Sequence, residues 1–391
     1  MTEDPRLTAL VAAADTLFRD QALDAVRAWK ARTGGLAVGF LPIYVPRELL
    51  HAQGVLPVGL MGGRPDLEII KGDAYYQSYI CHLPRSTIEL GLSGSYDALD
   101  GLIFPAICDV IRNLSGMWQM LFPDVLVHYF DVPQNFDPAI GGAFYRRDLE
   151  ALATALEDRG ARPLTAEALR QSIALYNEDR RLVRELYALR RREPWKVPTH
   201  ELYVVLRAAL LMPVEDSTSM FADYLALTSA DESRRPQDQA RVLVAGSFCE
   251  QPPLALIKTL ERSGCYIVGD DFVQVHRFIQ SDIPVDGDPL QGLVDALLTD
   301  AVASPTRYIG NGVKGADLEQ RVAASGAEGV LFCAPSFCDP ALLDQPMAVR
   351  AAERAGVPWT AFKYAENSGQ FQVIREQAGT FADSIKLWSS V

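Results

Sequence analysis

The feature that most constrains the fold is a repeated alternation. Short apolar, strand-like runs each give way to a loop and then to a helical pattern. The runs are GLAVGF (35–40), VLPVGLMGG (55–63), a strand over 101–104, DVLVHYF (124–130), RVLVAGS (241–247), CYIVGD (265–270), GVLFC (329–333) and PWTAF (358–362). Strands alternating with helices argue for βαβ units and parallel sheets. The first four runs make one α/β lobe and the last four repeat the same grammar. Between them, residues 144–212 are rich in Arg, Glu, Leu and Ala and broken by Pro163, Pro194 and Pro198, which reads as a helical insertion or linker. Residues 5–32 read as one amphipathic helix, with Leu7, Leu10, Leu17, Leu23, Val26 and Trp29 apolar among charges. A length of 391 residues suits two or three domains. The expected division is an N-terminal helix over 1–34, a first lobe over 35–143, a helical tract over 144–235 and a second lobe over 236–391.

Three of the six cysteines sit at or near the end of such a run: Cys81 in YQSYICHLPRS, Cys108 in GLIFPAICDVIRN and Cys338 in GVLFCAPSFCDP. In open α/β sheets the crevice beyond the strand ends is where ligands bind. Thiols in equivalent topological positions can therefore converge on one metal centre, and thiolates suit zinc, copper(I) and iron–sulfur clusters. Three ligands leave one coordination position for something other than cysteine. Free cysteine also fills core space, and no local Cys-x-x-Cys pair marks a site, so spacing alone leaves packing and metal binding both open. Cys265, in CYIVGDD, and Cys333, continuing GVLF, suit packing; Cys249, in AGSFCEQPP, follows a strand and stays ambiguous. Asp339 as N-cap with Pro340 at the first helical position is good helix-start chemistry. It sets Cys338 beside a helix N-terminus, where partial positive charge favours a thiolate. Cys108 has the same setting before Asp109. On that ground Cys338, not Cys333, is the expected ligand.

The net charge of −13 and pI near 4.9 argue against a nucleic-acid partner and against an anionic membrane surface. No stretch of about 18 apolar residues occurs, and MTEDPRLTAL lacks the basic-then-apolar pattern of a secretory signal. The expectation is a cytoplasmic chain whose thiols stay reduced. Gly62-Gly63 and Gly91–Gly94 match neither phosphate-loop nor dinucleotide spacing and read as ordinary turns. No Ser-His-Asp, HExxH or Walker-type signature is visible, so this chain is not expected to hydrolyse ATP itself.

Longer segments carry a resemblance. GFLPIYVPRELLHAQGVLPVGLMGG, SYDALDGLIFPAICDVIRNL and GVLFCAPSFCDP resemble the subunits of the 2-hydroxyacyl-CoA dehydratase family. GSFCEQPPLALIKTLERSGCYIVGDDF and FKYAENSGQFQVIREQAGTFADSIKLW are similar to cluster-carrying subunits of its dearomatising branch, the ATP-dependent benzoyl-CoA reductases. The resemblance runs from about residue 35 onward and is weak only in the helical tract. The three cysteine contexts match together and in order.

The resemblance implies two flavodoxin-like (Rossmann-like) α/β lobes of parallel sheet, with a 4Fe–4S cluster held between them by Cys81, Cys108 and Cys338. It implies a homologous partner subunit with a second cluster, ATP-hydrolysing activator subunits with their own cluster, and ferredoxin as electron donor. The implied substrate is an aromatic acyl-CoA, whose thioester carbonyl accepts a low-potential electron before the ring is protonated to a cyclic diene. The dehydratase branch uses the same electron injection to expel a hydroxyl group. By local context His82, Cys249 and Glu250 are candidates for the proton donor. The plainer reading of His82 is a hydrogen-bonded neighbour of the cluster loop, and that of Glu250 a helix-start residue. Asn367, Ser368, Gly369 and Gln370 precede the last helix and could offer backbone N–H groups to the cluster or to a CoA phosphate; an N-cap is the plainer reading. The run Arg190–Arg192 reads as a solvated helix end, with a contact to CoA phosphates as the alternative.

Overall fold

The computed structural model describes residues 4–63, 67–307, 314–365 and 371–388. In chain order its strands are β1 (Ala37–Phe40), β2 (Leu56–Gly59), β3 (Gly101–Pro105), β4 (Leu126–Phe130), β5 (Ala240–Ala245), β6 (Cys265–Gly269), β7 (Gly329–Pro335) and β8 (Trp359–Tyr364). Every residue of β1, β2, β3 and β7 is buried, as in parallel strands covered by helices on both faces. Gly39 has a steric reason to be there: a Cβ would lie 2.4 Å from Leu102 Cδ1 on the neighbouring strand.

The strands form two four-stranded sheets, ordered β2-β1-β3-β4 and β6-β5-β7-β8, with every pair parallel. Both lobes therefore switch winding direction beside their first strand, between β1 and β3 and between β5 and β7. At such switch points the loops leaving the strands diverge and open a crevice. The α/β class with two flavodoxin-like lobes is as the sequence suggests.

The N-terminal segment differs from expectation. Instead of one helix over 5–32 there are two, Pro5–Phe18 and Asp24–Thr33. Asp20 interrupts them: its carboxylate accepts from the N–H groups of Asp24 and Ala25, both at 2.9 Å, and so starts the second helix. The intervening Leu23 is buried in the left-handed region at φ 57°.

The helical tract is a spine, not a tether. Its longest member, the 27-residue helix Ala166–Arg192, buries Leu169, Ile173, Tyr176, Leu182, Val183, Leu186 and Leu189 along one stripe. On the first-lobe side Arg180 forms a buried ion pair with Glu48. On the second-lobe side Arg190 reaches Asp270 at 2.6 Å, with both side chains 1% exposed. Arg190 is thus not at a solvated helix end, although the Arg192 side chain is 67% exposed. Arg277 contacts the same carboxylate at 2.8 Å, and Tyr187 Oη donates to it at 3.0 Å. Burial alone would raise the Asp270 carboxyl, but Arg190 and Arg277 outweigh burial and hold it below the usual carboxylate range.

Removing one partner of a buried ion pair leaves a charge uncompensated. Arg190→Ala is expected to cost about 3 kcal/mol of stability, at the low end because Arg277 stays on Asp270, as measured by denaturant unfolding. Since the folded Asp270 carboxyl lies below its unfolded value, its contribution is complete above the ordinary carboxylate range and fades as pH falls through the lowered one. Asp270→Asn should therefore flatten the acid limb of the stability curve; an unchanged limb would contradict the assignment.

Candidate metal centre

Three thiols stand at helix starts. Cys81 is the N-cap of helix His82–Leu92, Cys108 of Asp109–Leu121 and Cys338 of Asp339–Arg354. The last helix begins one residue earlier than expected, so Cys338 itself, not Asp339, is its cap, with Pro340 inside the first turn. Each sulfur sits at the positive end of a helix dipole, among N–H groups without intrahelical partners. Cys81 follows β2, Cys108 follows β3 and Cys338 follows β7, so both lobes contribute.

A fourth thiol arrives from the turn after β5. Cys249 is 5% exposed, Cys338 is 4% exposed, and the two thiols lie close enough to interact. Cys249 also lies within electrostatic reach of Cys108 and Cys81, and Cys81 within reach of Cys338 and Cys108. The Cys249 thiol is pushed well up, first by its interaction with Cys338 and then by burial. Burial is the main cause of the upward shift of Cys81, followed by the Glu250 carboxylate. Cys108 is raised by burial too, partly offset by the N–H groups of Ile111 and Val110 in its own first turn. These shifts favour the protonated form of Cys81, Cys108 and Cys249, and a bound cation would reverse that balance.

The turn that carries Cys249 also joins the lobes. Leu83 N, in the first turn of helix His82–Leu92, donates to Glu250 Oε2 at 3.2 Å, and Tyr364 Oη donates to the Glu250 carbonyl at 2.7 Å. Both His82 and Glu250 are buried beside the thiols. Burial lowers the His82 imidazole to about 4 against the opposing pull of Glu250, so it is neutral at neutral pH. The structure thus brings together Cys81, Cys108, Cys338, Cys249, His82 and Glu250. Asn367, Ser368, Gly369 and Gln370 lie outside the described residues.

Cys333 and Cys265 lie within β7 and β6, 1% and 0% exposed; burial pushes each thiol up to about 12, and neither feels another thiol. Two tyrosines escape the sequence reading. Tyr76 stands close enough to Cys81 and Cys108 to feel both, and Tyr364 at the end of β8 supports Glu250. Nothing in the spacing of either marks it, because both reach the site from other parts of the fold.

Among the described residues no three His, Cys, Asp or Glu side chains are grouped tightly enough to hold a single metal ion. The four thiols nevertheless interact electrostatically. A buried set of soft sulfur donors suits an iron–sulfur cluster.

Fold and site together define a two-lobed α/β protein with a thiol-lined centre where the lobes meet. The 2-hydroxyglutaryl-CoA dehydratase D-component family matches residues 42–385, and the chain belongs to that family of enzyme subunits. Over 382 residues it is 52% identical to one of the subunits of benzoyl-CoA reductase from Thauera aromatica, covering 97% of this chain and 99% of that one. It is 29% identical to the beta subunit of lactoyl-CoA dehydratase from Anaerotignum propionicum, covering 91% and 94% of the two chains. To the beta subunit of (R)-2-hydroxyglutaryl-CoA dehydratase from Acidaminococcus fermentans it is 28% identical, covering 90% and 93%.

If the thiols at the helix starts are the ligands, Cys81→Ser, Cys108→Ser and Cys338→Ser should each lose most of the iron taken up on anaerobic reconstitution. Cys333→Ser and Cys265→Ser should keep it. Iron and sulfide analysis decides; an empty Cys333→Ser beside a loaded Cys338→Ser would reverse the assignment.

Proposed function

We propose that this chain is the iron–sulfur subunit of a dearomatising reductase acting on benzoyl-CoA or a substituted benzoyl-CoA. The observation that carries the reading is the 52% identity, over nearly the whole chain, to part of a benzoyl-CoA reductase, against 28–29% for dehydratase subunits of similar coverage. Cys81, Cys108 and Cys338 hold a 4Fe–4S cluster between the lobes. When bound, the cluster supplies one-electron chemistry at low potential.

The chain's own residues set the conditions for that chemistry. Three helix N-termini face the sulfurs and lessen the cost of negative charge in a buried place. Phe248, Ile107 and Leu83, all buried, adjoin the cysteine loops and keep water from reactive species. His82 and Glu250 are the titratable groups of this chain best placed at the centre's wall: Glu250, once protonated, is a proton donor, and His82, being neutral, offers a ring N–H as a hydrogen-bond donor without adding positive charge that would raise the cluster's potential.

The remaining parts belong to partners. With no phosphate-binding loop of its own, the chain relies on activator subunits that hydrolyse ATP and carry their own cluster, with ferredoxin as the upstream donor. The acyl-CoA site is completed by a homologous partner that carries a second cluster. The setting is cytoplasmic, in keeping with the net charge of −13; among the described residues no helix is long and apolar enough to cross a membrane.

The complete complex, given ATP and a strong one-electron donor, is expected to convert benzoyl-CoA to a cyclohexadiene-carboxyl-CoA, consuming two electrons per product. The measurement is ATP consumed and donor oxidised per diene formed, with a 2-hydroxyacyl-CoA run in parallel. Rapid dehydration of the hydroxyacyl substrate on a mere trace of electrons, with no diene from benzoyl-CoA, would move the chain to the lyase branch.

A further inference from the structure

We infer that Cys249 is the fourth protein ligand of the cluster, filling the coordination position that Cys81, Cys108 and Cys338 leave open. The inference rests on the cluster reading above and changes what that centre can do. A cluster bound by four thiolates offers no iron to a substrate oxygen or to water.

The geometry of the turn supports it. Cys249 leaves β5 and Cys338 leaves β7, the two strands that flank the winding switch of the second sheet. Cys81 and Cys108 come from beyond the ends of β2 and β3 in the first sheet. Leu83 N, two residues after Cys81, donates to Glu250 Oε2 at 3.2 Å, so the turn bearing Cys249 lies against the start of the Cys81 helix, and Cys249 comes within electrostatic reach of Cys338, Cys108 and Cys81. A cysteine that merely filled core space would not need the company of three others; Cys333 and Cys265 have none.

The backbone of the turn around Cys249 is also firmly held. Gly246, at φ +109°, passes so close to β7 that a Cβ would lie 3.1 Å from the Cys333 carbonyl oxygen. Gly246 N donates to Asp271 Oδ2 at 2.7 Å and Ser247 Oγ to the Cys333 carbonyl at 2.5 Å. The Gln251 side-chain amide donates back to the carbonyls of Ser247, Phe248 and Cys249 at 3.3–3.4 Å, and its oxygen accepts from Val273 N at 2.8 Å. Tyr364 Oη fixes the next carbonyl, that of Glu250. Residues 247–251 are all buried. Such over-determination of a loop that bears one thiol is what a preorganised ligand requires. On binding iron the thiol gives up its proton, as metal-thiolate formation does generally. That removes Cys249 from the candidates for proton donor.

The test uses the full chain reconstituted anaerobically with iron and sulfide and reduced, its electron paramagnetic resonance recorded with and without cyanide, a small ligand that binds an open iron. The wild-type spectrum is expected not to move, whereas those of Cys249→Ala and Cys249→Ser should shift. Mild oxidation should strip one iron from the Ala variant, giving the signal of a 3Fe–4S cluster that the wild type does not show. A wild-type spectrum that shifts with cyanide overturns the inference, and needs no variant to fold. So does an Ala variant that matches the wild type in both treatments. A wild-type chain that binds no cluster at all overturns both this inference and the reading beneath it; a cluster that cyanide reaches overturns this inference alone.

Discussion

The thiol centre depends on one constraint: the two sheets must stand in a fixed relation, because neither lobe alone brings its cysteines to the others. Helix Ala166–Arg192 supplies that relation. Its apolar stripe packs into the shared core, and each fully buried Leu or Ile of that stripe contributes about 1.5–3 kcal/mol. Its ion pairs do something different. Arg180 with Glu48 and Arg190 with Asp270 add little net stability over a well-packed apolar pair, but each tolerates only one alignment of the partners. The apolar stripe holds the lobes together, and the buried charges fix how they sit.

A second layer of the same design is at the centre itself. Buried thiols with a carboxylate nearby are poorly suited to ionise, as the upward shifts of Cys81 and Cys249 express. Three helix N-termini act in the opposite sense. Burial still favours the protonated form of Cys81, Cys108 and Cys249, and any metal bound there would have to displace those protons. Because Glu250 takes a hydrogen bond from the first turn of the helix that Cys81 caps, the turn that bears Cys249 is tied to the contact between lobes.

Much of this is legible in the sequence, for local reasons. The strands announce themselves as apolar runs because parallel strands are buried on both faces. The preference for Cys338 over Cys333 follows from helix-start residues next to it, which is short-range chemistry. What escapes the sequence depends on distant partners. The burial of Arg190 requires Asp270, 80 residues on. The break at Asp20 is masked by apolar periodicity that continues through Leu23 and Val26. Cys249 cannot be assigned from AGSFCEQPP, because its neighbours at the site come from the loops after β2, β3 and β7. A tract rich in Arg and Glu reads as solvated until the carboxylates that bury it are known.

The central claim is that cysteines from both lobes hold one polynuclear cluster, not a single ion and not a packed core. Mössbauer spectroscopy of the anaerobically reconstituted full chain, with iron and sulfide counted on the same sample, addresses it directly. The account predicts one 4Fe–4S cluster per chain, with every iron in a sulfur-rich tetrahedral environment. A mononuclear ferrous or zinc site, or a chain that folds and takes up no sulfide, would contradict it.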